Sequence, residues 1–293
     1  MTARRDSIPA ADARFPAAFH PPSAWSVFAA TVVKDLRIAR RYLPDLVGRF
    51  VELAVRALFF LLLSRIVSVN AASSPLGQIM TGNDLAIFFL GALLLFTFNT
   101  TALTSPVDSV MRDLHNGTLE YLYSNPSSRY AYFVGTVAAN GIVSMTVFAP
   151  LYLALVVMAR PGLGDTGMML LTCLVVLASV VGIGVLIAML GILWRQVGSL
   201  VRVLNILFEL LAGAYLPLAA FPPTLRRLAY ALPYTWGYDL IRYYSFRGRW
   251  STLLPVWIEW LVLVAFAAVL LGLSRFLLVQ VERRTKRSGM HLL

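Results

Sequence analysis

From Met168 to Trp194 the chain runs without a single charged residue. A membrane-spanning helix needs about 20 apolar residues. Because hydrocarbon offers backbone groups no partners, such a stretch folds as an α-helix that bonds within itself. Further apolar stretches lie near 46–69, 85–106, 131–158, 197–220 and 253–280, so six spans are expected. Of the 293 residues, 59% are hydrophobic and only 13% charged. Soluble domains carry about 25% charge, which excludes a water-soluble fold. The expected class is an all-α membrane protein. Its first span is the least conventional: Arg49, Glu52, Arg56 and Arg65 flank or interrupt an apolar core from Leu53 to Leu63, and spanning requires the arginines to reach the interfaces.

The net charge of +11 does not indicate nucleic acid, because the basic residues lie in short segments beside spans, where Lys and Arg set orientation. With the N-terminus inside, fifteen of the 25 fall in cytoplasmic segments. Six are external: Arg160, Arg226, Arg227, Arg242, Arg247 and Arg249. Both termini are therefore expected in the cytoplasm. Residues 1–22 lack the apolar core of a signal peptide and read as a flexible tail; 283–293 read as a second, basic tail around the membrane domain 23–282.

Ahead of the first span, Trp25, Phe28, Ala29, Val32, Leu36, Ala39 and Leu43 recur at helical steps, with Lys34, Arg37 and Arg41 opposite and Ser23 placed to cap. An amphipathic helix over 23–43, lying at the lipid surface, is expected. Before the last span, Pro217, Pro222, Pro223 and Pro233 punctuate the chain. The first three are expected to break the fifth helix. Leu225, Leu228, Ala229 and Leu232 then restore two amphipathic turns until Pro233 stops them. A re-entrant segment is expected there, with Tyr230, Tyr234 and Trp236 at headgroup level.

Catalytic patterns are missing. His20, His115 and His291 are far apart, no Gly-rich loop leads into Lys-Ser or Lys-Thr, and Cys173 stands alone in an apolar run. No cofactor is expected on this chain. Intramembrane ionisable residues are functional candidates. Glu52 and Arg56, four apart, either neutralise each other or meet a substrate. Glu209 and Glu259 show no local partner and face a helix interface, a cavity or another subunit. In the fourth span Ala178, Gly182, Gly184 and Ala188 form two small-residue stripes suited to close packing within the chain. Phe88, Phe89, Phe96, Phe98, Phe208 and Tyr215 are candidates for an aromatic path.

The most informative polar segment lies between the second and third spans: Arg112-Asp113-Leu114-His115-Asn116-Gly117-Thr118-Leu119-Glu120, followed by Tyr121-Leu122-Tyr123-Ser124-Asn125-Pro126. Together with the basic helix (Lys34-Asp35-Leu36-Arg37) and the Pro217–Pro233 stretch, it resembles the pattern of permease subunits of type-2 ABC exporters. The chain departs from that pattern in carrying Leu114-His115-Asn116 where an acidic residue usually precedes the glycine. The resemblance implies a homodimer working with a separate ATPase subunit that binds Mg-ATP, in a bacterial inner membrane. It implies that the Arg112–Tyr123 segment is a coupling helix, with Leu114, Leu119 and Leu122 filling apolar pockets of the ATPase and Arg112 and Glu120 pairing at the rim. The cargo implied is an amphiphilic drug, antibiotic or lipid. A glycan exporter is the nearest alternative. A proton-coupled carrier using Glu52, Glu209 or Glu259, or a membrane scaffold, stands further off.

Overall fold

A computed structural model describes residues 23–69, 82–115, 117, 128–193 and 198–288. Among these residues the chain is helical with no strand: α1 (Ala24–Arg41), α2 (Leu43–Val69), α3 (Gly82–His115), α4 (Arg129–Ala159), α5 (Leu163–Leu193), α6 (Gly198–Leu211), a 3-10 turn (Leu218–Ala220), α7 (Pro223–Tyr230), α8 (Pro233–Ser245) and α9 (Val256–Ser288).

Among the described residues, four segments are long and apolar enough to cross a membrane: Asn83–Ser109 in α3, Tyr130–Ala159 in α4, Leu163–Leu190 in α5 and Val256–Gln280 in α9. They correspond to four of the six expected spans, with 168–194 ending earlier, at Leu190, and 253–280 starting later, at Val256. The stretch 46–69 lies within α2, whose charged residues keep it outside that class. At 197–220 the expectation of one long helix is corrected. There α6 has 14 residues, about 21 Å at 1.5 Å per residue, against a hydrocarbon core of about 30 Å.

The helix is also ended by something other than the prolines. Leu211 is its last residue, Gly213 adopts φ +81°, and the Gly213 and Ala214 amides donate to the carbonyls of Leu210 and Glu209 at 3.4 and 3.3 Å. This is the Schellman closure that a left-handed glycine makes possible. Pro217 comes four residues later, and Pro233 opens α8 as its first residue, where a missing N–H costs nothing. The same closure recurs at the end of α8, with Arg247 at φ +54° and the Gly248 amide on the Tyr243 carbonyl at 2.9 Å.

The core is built around α3 and α5. Leu85, Phe88, Leu94, Leu95, Leu103, Val176, Val180 and Val185 are fully buried. The two small-residue stripes of α5 face different neighbours, as their packing role requires. A Cβ at Gly184 would lie 2.5 Å from the Ala102 carbonyl oxygen on α3, and one at Gly182 2.7 Å from the Leu270 backbone on α9. α5 is thus clasped between α3 and α9 at backbone contact.

α1 begins where expected, with the Ser23 side chain accepting from the Ser26 amide at 3.2 Å. It docks on α4 through Gly135, where an added Cβ would meet Thr31 at 2.9 Å. The residues it buries are Thr31 and Asp35, while Trp25 is 74% exposed. Of the predicted apolar stripe, Phe28, Ala29, Val32, Leu36 and Ala39 are half-buried, and Trp25 and Leu43 at its two ends are exposed.

Candidate functional site

Polar side chains from three helices converge on one cavity. Along α3, Thr97, Thr100, Thr104, Asp108 and Arg112 recur at three- and four-residue steps, which aligns them on one face. Arg49, Glu52 and Arg56 do the same on α2, and Asn140 and Ser144 on α4. These residues line a cavity of about 330 Å³ between α2, α3 and α4. Arg56 is one of the residues that line it. Its guanidinium is 3.2 Å from Glu52, as the spacing of four predicts, and sits over the Phe96 ring at 4.1 Å.

The network continues towards α6. The Asn205 side chain donates to Thr100 Oγ1 at 3.2 Å. Glu209, buried at 9% exposure, is hydrogen-bonded to Tyr215, and Arg56 acts electrostatically on both. Glu209 thus has partners, which sequence could not show because Tyr215 lies beyond the Gly213 turn. On its other side Arg56 borders a hollow of about 620 Å³ lined by Phe59, Phe60, Leu63, Phe89 and Tyr215.

Of the aromatic candidates, Phe88 and Phe89 are buried in the core. Phe96 lines the polar cavity, and Tyr215 the apolar hollow. The side chain of Phe98 lies outside the described residues. The hydroxyl stripe on α3 went unread in the sequence, although its step pattern was visible there.

At the opposite end of the bundle, α8 was missed altogether. Every residue of it except Tyr243 is buried. Arg242, 2% exposed, donates to the Gly213 and Ala214 carbonyls at 2.7 and 3.0 Å and stacks over Phe88 at 3.7 Å. It fastens α8 to the break after α6. Asp239 accepts from Trp250 Nε1 at 2.6 Å and the Leu253 amide at 2.8 Å. Glu259, fully buried, accepts from the Leu254 amide at 3.0 Å and adjoins Asp239. Tyr234 and Trp236 are buried at 2% and 5% exposure, which corrects the expectation of headgroup positions; Tyr230 is 37% exposed.

Arg226, Arg247 and Arg249 likewise donate to backbone carbonyls, those of Leu218, Arg160 and Phe246 respectively. Replacing Arg242 with Leu strands two buried carbonyls and removes the stacked cation. A loss of about 3 kcal/mol is expected, read as a lower unfolding midpoint in a denaturing-detergent titration. Arg242→Lys is expected to recover little of it, since an ammonium lacks the planar fork.

The Arg112–Leu122 segment divides between two structural settings. Arg112, Asp113 and Leu114 belong to the last turn of α3, which runs through His115, so the expectation of a separate helix starting at Arg112 is corrected. Arg112 is exposed. Gly117 has φ +66°, the left-handed conformation that follows a helix end and favours glycine. Thr118, Leu119, Glu120 and Leu122, and the side chains of Asp113 and Leu114, lie outside the described residues.

No curated protein matches the chain. A family model does, and it covers most of the membrane domain, including the polar cavity, Gly117 and the α8 fastening. That family is described as ABC-2 type transporter, and the match runs over residues 26–246. The chain therefore belongs to the ABC-2 type transporter family and is a transmembrane subunit of an ABC transporter.

Proposed function

We propose that the chain is the permease of an ATP-driven exporter that moves an amphiphilic drug, antibiotic or lipid out of the cytoplasm or the inner leaflet. The observation that carries the reading is the polar cavity within a helical membrane domain. Charged and hydroxyl-bearing side chains are costly at membrane depth unless they line a path, and here three helices contribute them to one space.

The chain works with a separate ATPase subunit that holds Mg-ATP, and with a second copy of itself. Outward apolar rows on α2 (Val51, Val55, Leu58, Leu62) and α6 (Val203, Ile206, Leu210) suit either that copy or lipid. α2 and α6 complete six membrane passes, α6 with the re-entrant α7 and α8 filling the depth it leaves uncovered. Both termini face the cytoplasm of a bacterial cell, and the segment after Gly117 is the coupling element that docks on the ATPase.

The test is affinity purification of the chain from its native membrane in mild detergent. One vanadate-sensitive ATPase polypeptide per permease is expected, lost in Glu120→Lys while the permease remains folded. An intact permease that brings down no ATPase refutes the reading.

A further inference from the structure

The cavity between α2, α3 and α4 has a chemistry more specific than polarity, and it shares Arg56 with a hollow of the opposite character. On α3 its wall extends from Thr97 to Arg112, roughly 22 Å of helix. Three guanidiniums (Arg49, Arg56, Arg112) face two carboxylates (Glu52, Asp108), leaving one positive charge in excess.

The neutral groups have a polarity too. Thr104 donates its hydroxyl proton to the Thr100 carbonyl at 2.8 Å, and Asn140 donates its amide to the Thr136 carbonyl at 3.0 Å. Thr104 therefore presents an oxygen acceptor to a guest, and Asn140 its side-chain oxygen together with one remaining N–H. Arg56 borders both this cavity and the apolar hollow of Phe59, Phe60 and Tyr215.

The geometry points to a headgroup site within a single subunit. It takes an acidic amphiphile whose head also carries hydroxyl or ammonium donors, with the head between α2, α3 and α4 and the apolar part beyond Arg56. The acidic group meets the guanidiniums, the donors meet Thr104 and Asn140, and the tail lies against the phenylalanines. This rests on the export reading and names its substrate class. It requires no ATPase, so the two ideas fail separately: loss of head selectivity leaves the ATPase co-purification standing, and the converse also holds.

The test is native mass spectrometry of the full chain titrated with two lysolipids of equal tail, lysophosphatidylglycerol and lysophosphatidylcholine. The anionic, glycerol-bearing probe is expected to bind about tenfold more tightly, the scale of one charge-assisted hydrogen bond. Arg49→Gln and Thr104→Leu should each remove most of that preference, the first by deleting a cation and the second by filling the cavity. Arg37→Gln, on the exposed face of α1, should leave it intact, and excess glycerol 3-phosphate should fail to displace the lysolipid.

Gel filtration checks that each variant is folded, and Asn140→Leu repeats the blockade from the facing helix should Thr104→Leu misfold. Equal binding of both probes overturns the proposal. So does a loss in Arg37→Gln matching that in Arg49→Gln, which indicates bulk charge, or displacement by glycerol 3-phosphate, which indicates a site for soluble anions.

Discussion

Gly184→Leu is expected to yield no folded protein. The obstacle is backbone: the Ala102 carbonyl oxygen at 2.5 Å, the Leu103 oxygen at 3.1 Å and the Leu103 Cα at 3.3 Å from the position a Cβ would take. A side chain in the way can rotate, but a neighbouring helix must move as a body. Overpacking of that kind costs about 1–3 kcal/mol or more, against a total stability of about 5–15 kcal/mol, and here it pries apart the two helices around which the core is built.

The graded comparison is within reach. Gly91 would meet only the Ile241 side chain, at 3.2 Å, and Gly272 on α9 has open space. Gly272→Leu should therefore run on gel filtration like the parent, Gly91→Ala should melt slightly lower, and Gly184→Leu should aggregate on extraction. A Gly184→Leu protein that melts with the parent would mean that α3 and α5 do not touch as described.

The second large effect falls on transport rather than folding. Gly117 holds φ +66° just beyond α3, whereas proline fixes φ near −65°. Gly117→Pro cannot keep the direction in which the chain leaves that helix, so the docking segment proposed to follow it is misaimed. ATP-dependent transport by the reconstituted complex is expected to fall to background. Insertion should persist, because a Cβ at Gly117 would meet nothing within 4 Å among the described residues. Asn tolerates the left-handed region better than other non-glycine residues, so Gly117→Asn should keep a substantial fraction of activity and Gly117→Val little. Transport by the proline variant at the parental rate would remove this segment from the coupling path.

What could be read in advance follows from how local its cause is. The charge-free Met168–Trp194 stretch and the stripes of Gly182 and Gly184 declare a packed helix in their own residues, and α5 is that helix. The Glu52–Arg56 pair, one turn apart, was equally local. The ending of α6 was also written locally, in Gly213 after an apolar run, but the prolines four and more residues later drew the explanation away.

α8 was beyond such reading. Its polar residues look like those of an exposed loop because their partners are remote: Arg242 bonds to carbonyls 28 and 29 residues away, and Asp239 bonds to the far side of a turn. The cavity lies between these cases. Each helix shows its polar row, yet only the packing brings the rows on α2, α3 and α4 to face one another.

The arginines of the 226–249 segment change what a charge count means. Four of the six basic residues assigned to that end of the bundle (Arg226, Arg242, Arg247 and Arg249) are committed to carbonyls of their own chain. Arg242 is enclosed, Arg226 is half-buried, and Arg247 and Arg249 are exposed, so three of the four keep charge at the surface while their hydrogen bonds hold them in place. The tally of fifteen against six therefore counts as equal a buried cation, pinned surface cations and untethered ones. A probe of surface potential would sense five of the six at that end, Arg242 alone being enclosed, and three of those five are held at fixed positions by their own backbone.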